Sequence, residues 1–187
     1  MDTALPAPAP LDPAPLEAPA DRGRSGFLRR HAWLALVGFV GVNVLIGTIA
    51  GLTTASSVGS WYQTLDKPFW TPPDWLFGPV WTALYVLVGV SAFLVWRRGP
   101  SPRVTGAMKA YILQMTANAL WAPIFFGLRD PSSALIDLIL MVVFLMPMIG
   151  LFWQVRRAAG LLLVPYALWV GYALSLNAGI VFLNSLV

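Results

Sequence analysis

Apolar and polar positions are not mixed evenly along this chain. A polar, proline-studded beginning gives way to five long apolar runs, at 32–54, 79–96, 107–127, 132–153 and 158–187, separated by short basic or proline-rich breaks. Each run reaches or approaches the ~20 residues a helix needs to cross a bilayer. The pattern predicts an all-α integral membrane protein, a five-transmembrane-helix bundle over 32–187, with little chain left for a soluble domain. Composition agrees: of 187 residues, 58% are hydrophobic and 11% charged, with a mean hydropathy of +0.71, against roughly 25% charged in soluble domains.

Residues 1–31 differ in kind. MDTALPAPAPLDPAPLEAPAD is an Ala/Pro low-complexity segment that cannot bury enough apolar surface to order itself, so a disordered tail with a basic flank is expected. It does not read as a secretory signal, whose basic region should come first, nor as a transit peptide, given Asp2, Asp12, Glu17 and Asp21.

Charge sets an expected orientation. Arg22, Arg24, Arg29, Arg30, Arg97, Arg98, Arg103, Lys109, Arg156 and Arg157 fall on one side of five alternating spans, and only Lys67 and Arg129 on the other. This puts the N-terminus in the cytoplasm and the C-terminus outside. The compact, cysteine-free chain suits a bacterial cytoplasmic membrane, with a mitochondrial outer membrane as the alternative. These basic flanks account for the isoelectric point near 9.9, so nucleic acid need not be invoked as a partner. The absence of cysteine excludes disulfides, thiolate metal sites and Cys nucleophiles. The single histidine, His31, reads as a polar interfacial flank rather than a metal or haem ligand.

Within the runs, GTIAG at 47–51 fits close helix packing first and a dimer contact second, and Pro123, Pro147 and Pro165 favour kinks. The break WYQTLDKPFWTPPDWLFGPVW, 61–81, holds four tryptophans and four prolines. Its Lys-Pro, Pro-Pro and Gly-Pro pairs are expected to keep 67–79 extended or turned. An interfacial aromatic belt would explain the tryptophans, but the proline spacing argues for rings held in set directions.

Polar residues inside apolar runs are the candidates for chemistry. Gln114, Asn118, Trp121 and Phe125 share one helical face, as do Tyr166, Trp169, Ala173 and Asn177. Carboxamides in a span must find partners, so both faces should point inward, as interhelical bonds or as a binding surface. Asp137 is the only acid within a run and reads as a helix cap or a headgroup contact. GxSxG, HExxH, GxGxxG and Walker patterns are all missing. What remains is an apolar cavity with a few carboxamides and several rings, suited to a large, flat hydrophobic ligand, with no metal and no required cofactor.

WYQTLDKPFWTPP, PVWTALY, QMTANALWAPIFF and VPYALWVGYALSLN together resemble the TspO/MBR family, the tryptophan-rich sensory proteins and translocator proteins also known as peripheral-type benzodiazepine receptors. The resemblance runs through all five spans and leaves out the tail. It implies a bundle, often a homodimer, in which the Trp/Pro-rich loop covers the pocket between helices 1 and 2. It also implies a tetrapyrrole ligand (protoporphyrin IX or a haem-like relative) and benzodiazepine-type ligands. Trp81, Asn118 and Trp169 match the family's pocket residues, and Trp61 and Tyr62 match loop residues that close it. Gln114, Trp121 and Tyr166 join the candidate ligand-binding set from the two inward faces. No Lys or Arg follows Arg157, so the sterol motif of animal relatives is absent, which argues against cholesterol, although KAYIL at 109–113 fits its reversed form.

Three functions follow from the resemblance. The first is stress-linked sensing or handling of porphyrins. The second is light- and oxygen-dependent porphyrin degradation, with Trp81 and Trp169 as electron or radical partners. The third is transport of a porphyrin or another lipophile, against which stands the lack of an inverted repeat.

Overall fold

The computed structural model describes residues 31–185, and the expected tail otherwise lies outside the described residues. In chain order the elements are α1 (Ala32–Val58), a 3₁₀ turn (Trp61–Thr64), α2 (Asp74–Trp96), α3 (Pro102–Ala122), a π turn (Pro123–Gly127), α4 (Pro131–Val155), α5 (Arg157–Leu162) and α6 (Val164–Asn184). This is the expected all-helical membrane bundle. Four segments, Ala32–Ala55, Asp74–Trp96, Pro131–Val155 and the α5–α6 pair Arg157–Asn184, are long and apolar enough to cross a membrane. Helix α3 is also 21 residues long but carries Arg103, Lys109, Gln114 and Asn118, which lower its hydropathy.

Prolines act differently from one helix to the next, and one expectation is corrected. Residues 74–78 are not extended: α2 begins at Asp74 and takes Pro79 into its second turn. Pro73 supplies the extended N-cap backbone, and Pro79 removes only one bond close to an end where helical N–H groups are unpaired in any case. Next to Pro165 the fifth span is interrupted, in line with the expected kink: the helix breaks for one residue at Leu163, and Pro165 sits in the first turn of α6, where a missing N–H costs least. At Pro123 the α-helix gives way to a π turn closed by Leu128 N–H donating to the Pro123 carbonyl (2.9 Å). Helix α4 continues through Pro147.

Packing centres on Val88, Ala92, Leu138, Met141, Leu145, Met148, Phe152 and Tyr166, all fully or almost fully buried. Two glycines let α1 and α2 touch. A Cβ on Gly89 would lie 2.7 Å from the Val40 Cα, and one on Gly47 would lie 2.5 Å from the Tyr85 ring. The expected packing role of GTIAG therefore belongs to Gly47, since Gly51 faces open space. Asp130, not Asp137, caps α4: its Oδ1 accepts from the Ser132 and Ser133 N–H groups, and the Ser133 hydroxyl first, then these N–H groups, hold its carboxyl below the usual range. Asp137 lies about two turns further along, buried inside the bundle, with Oδ2 lacking a hydrogen-bond partner.

Candidate functional site

Above the Gly47–Tyr85 contact, α1 and α2 part, and a cavity of about 430 Å³ lies between them, α3 with its π turn, and α6. Its size falls within the ~300–1,000 Å³ of small-molecule sites. Trp81 and Tyr85 form one wall as a stacked pair with centroids 5.5 Å apart. The opposite wall is Trp121, stacked on Phe125 at 5.3 Å, with Phe126 beside it. The π turn explains that wall: its wider spiral brings the consecutive residues Phe125 and Phe126 to the buried side together. Tyr62, from the 3₁₀ turn, closes the loop end by packing on both phenylalanines.

Polar groups along the cavity are nearly all committed elsewhere. Thr48, Thr54 and Thr82 donate to carbonyls four residues back in their own helices. Trp121 Nε1 donates to Asn177 Oδ1 (3.2 Å), and Asn177 Nδ2 donates to the Pro131 carbonyl (2.8 Å). At the floor, Asn118 accepts from the Tyr85 hydroxyl (2.8 Å) and donates to the Tyr166 hydroxyl (2.9 Å), which also accepts from Gln114 Nε2 (2.6 Å). A ligand body in the interior therefore meets rings and methyl groups and has no donor or acceptor to satisfy. Charge enters only at the loop end, where Asp74 accepts from Gln63 Nε2 (3.0 Å), while Gln63 Oε1 accepts from Lys67 (3.2 Å), whose ammonium lies 4.4 Å from the Tyr62 ring centre. Burial, and then Asp74 and Tyr172, push the Tyr62 hydroxyl up to about 12.

The sequence candidates separate into three groups. Tyr62, Trp81, Asn118 and Trp121 line the cavity. Gln114 and Tyr166 lie just below, as the hydrogen-bonded support of Asn118, and Trp61 stands behind the wall, edge-on to Phe125 at 5.8 Å. Trp169 is not among the residues that line the cavity: it lines an outer groove between α2 and α6 with Leu76 and Leu168, and its ring lies 6.0 Å from that of Phe77, which does line the cavity. The loop covers the cavity through Tyr62, whereas Trp75 (71% exposed) points outward, as an interfacial belt would, and Trp70 (41% exposed) has its ring beside Gly179 of α6. Residues missed in the sequence include Tyr85, four positions after Trp81, and Asn43, fully buried in α1 and donating to the Tyr111 hydroxyl (2.8 Å). That bond also draws the tyrosine of KAYIL into the bundle, away from lipid.

An all-helical membrane bundle with an aromatic cavity under its first loop defines the class: a multi-pass membrane protein built around a ring-lined cavity. The chain belongs to the TspO/MBR family, whose sequence profile matches residues 39–183. It is 38% identical to the tryptophan-rich protein TspO of Archaeoglobus fulgidus over 81% of this chain and 98% of that protein. It is 37% identical to the tryptophan-rich sensory protein of Cereibacter sphaeroides (66% and 77% covered) and 34% identical to the translocator protein of Homo sapiens (78% and 87% covered).

Proposed function

We propose that the chain binds a flat tetrapyrrole of the protoporphyrin IX type, and benzodiazepine-type ligands, in the cavity between α1, α2, α3 and α6, as a stress-linked sensor or handler. One observation carries this reading: a cavity with rings on opposite walls and no unsatisfied polar group in its interior, which suits a rigid aromatic body whose polar groups stay at the loop end. The catalytic alternative needs both Trp81 and Trp169 beside the macrocycle, and Trp169 stands one ring further out, behind Phe77. Binding without chemistry is therefore the favoured role. The basic flanks favour a cytoplasmic N-terminus in a bacterial inner membrane, and the exposed Gly38 and Gly41 on α1 suit a homodimer contact. The test is a titration with protoporphyrin IX in the dark, read by quenching of tryptophan fluorescence, followed by illumination of the saturated complex. Saturable quenching with an unchanged porphyrin spectrum is expected. A lasting new absorption band that requires Trp81 would replace binding with catalysis, and no saturable quenching would end the tetrapyrrole reading.

A further inference from the structure

The walls of the cavity are not continuous. Thr48, Gly51 and Ala55 of α1 and Gly78 and Thr82 of α2 line it and are exposed, unlike the buried Tyr85, Asn118 and Phe125 deeper in. They form facing edges of a slot, one side on each helix. The slot ends where the Tyr85 ring meets Gly47, and beyond that point Gly89 lies against the α1 backbone. Towards the loop it ends at Asp74, eight residues or roughly 12 Å along α2 from Thr82. A Cβ on Gly51 or Gly78 would meet no atom within 4 Å, so the gap between the edges is real space. Both threonine hydroxyls are bonded to their own helices, which leaves the edges free of unsatisfied groups that hydrocarbon would penalise.

The loop, by contrast, is tied down on its far side. The Asp66 N–H donates to Asn184 Oδ1 (3.1 Å), Asn184 Nδ2 donates to the Asp66 carbonyl (2.9 Å), and the Tyr172 hydroxyl donates to the Trp70 carbonyl (2.6 Å). Pro68 packs directly on Gly179, where a side chain would not fit. Opening the loop to water would break all of these contacts together, whereas the slot requires none to break.

We propose that the cavity loads and empties sideways, through the α1–α2 slot, so that its ligand is a flat lipophile dissolved in the bilayer and the loop is a fixed cap. The proposal builds on the tetrapyrrole reading for its probe but not for its geometry. The chain has no cysteine, so cross-links can be introduced cleanly. Protein in nanodiscs would be loaded with protoporphyrin IX and then cross-linked with a short bismaleimide, either across the slot (Ala55→Cys with Gly78→Cys) or across the cap (Asp66→Cys with Asn184→Cys). Release into acceptor vesicles would be followed by recovery of tryptophan fluorescence. Closing the slot is expected to slow release at least tenfold, while closing the cap changes it less than twofold. Slowed release with the cap closed and unchanged release with the slot closed would overturn the proposal. If porphyrin does not bind at all, the tetrapyrrole reading fails, and the slot is judged separately by labelling Leu176→Cys, inside the cavity, with a lipid-soluble pyrene maleimide. Labelling should fall severalfold when Gly78→Trp is added, and labelling indifferent to Gly78→Trp rules the slot out.

Discussion

Divided at the level of Tyr85, the seam between α1 and α2 has two halves in which Gly89 and the pair Gly51 and Gly78 have opposite surroundings. In the half towards Arg97 and Arg156, glycine brings helices together: Gly89 lies on the α1 backbone, the Ser91 hydroxyl donates to the Ala159 carbonyl (2.7 Å), and Asn43 reaches Tyr111. In the half towards the loop, Gly51 and Gly78 touch nothing, Thr48 and Thr82 donate to their own helices, and rings stand apart as walls. Tyr85 is the pivot. Its ring holds α1 off at Gly47 while its hydroxyl is anchored on Asn118, so the helices meet on one side of it and diverge on the other. A small residue in a span therefore signals contact or space according to what stands opposite.

The sharpest way to break this comparison is to enlarge one glycine from each half. Gly89→Leu forces a side chain into the Val40 backbone, which has no side-chain freedom to yield, and should cost about 3 kcal/mol or more, or prevent folding. Gly78→Leu points into open space and should change stability by less than ~0.5 kcal/mol. Thermal unfolding in detergent measures both, and equal losses would mean that the halves are packed alike.

A smaller effect is expected at the boundary between them. Asn118→Leu removes the acceptor of the Tyr85 hydroxyl and one of the donors to Tyr166, for an expected loss of about 1–2 kcal/mol. Adding Tyr85→Phe removes the stranded hydroxyl, so the double variant should lose less than the sum of the two single ones. Strict additivity in the cycle would show that the two side chains act independently.

These features were unequally legible in the sequence. The spans were visible because length and hydropathy are local properties. Gln114 and Asn118 were visible because a carboxamide in an apolar run needs a partner, and the same reasoning applied to Asn43 would have found its bond to Tyr111. Trp169 was placed on the face of Tyr166 by a spacing of three, but the buried stripe of α6 runs through Tyr166, Val170, Ala173 and Asn177, which leaves Trp169 on its edge. Trp75 and Trp81 look alike in the sequence, yet a helix that starts at Asp74 turns one outward and the other inward. A cavity was expected from the residues, but its shape was not legible, because it arises from the divergence of α1 and α2, which depends on a tyrosine and a glycine 38 positions apart.

Ligand binding sharpens the comparison among the rings. Trp81→Ala removes a cavity wall and should weaken protoporphyrin IX binding about tenfold, roughly 1.4 kcal/mol. Trp169→Ala, in the outer groove, should weaken it less than threefold. Equal effects would bring Trp169 back to the site and with it the two-tryptophan mechanism.

The smallest effect concerns the loop end, where Tyr62 closes the cavity against water. Its hydroxyl is raised from 10.0 to about 12, mainly by burial, so the folded protein holds this proton more tightly than the unfolded chain does. The stability that follows is fully present below pH 10 and is lost as pH rises through about 12. The difference in phenolate absorbance between wild type and Tyr62→Phe should therefore be flat through pH 10 and reach its midpoint near 12. A midpoint at the ordinary 10 would mean that water reaches this ring from the loop side. The cap would then be loose, and the contrast between a tied loop and an open slot would no longer hold.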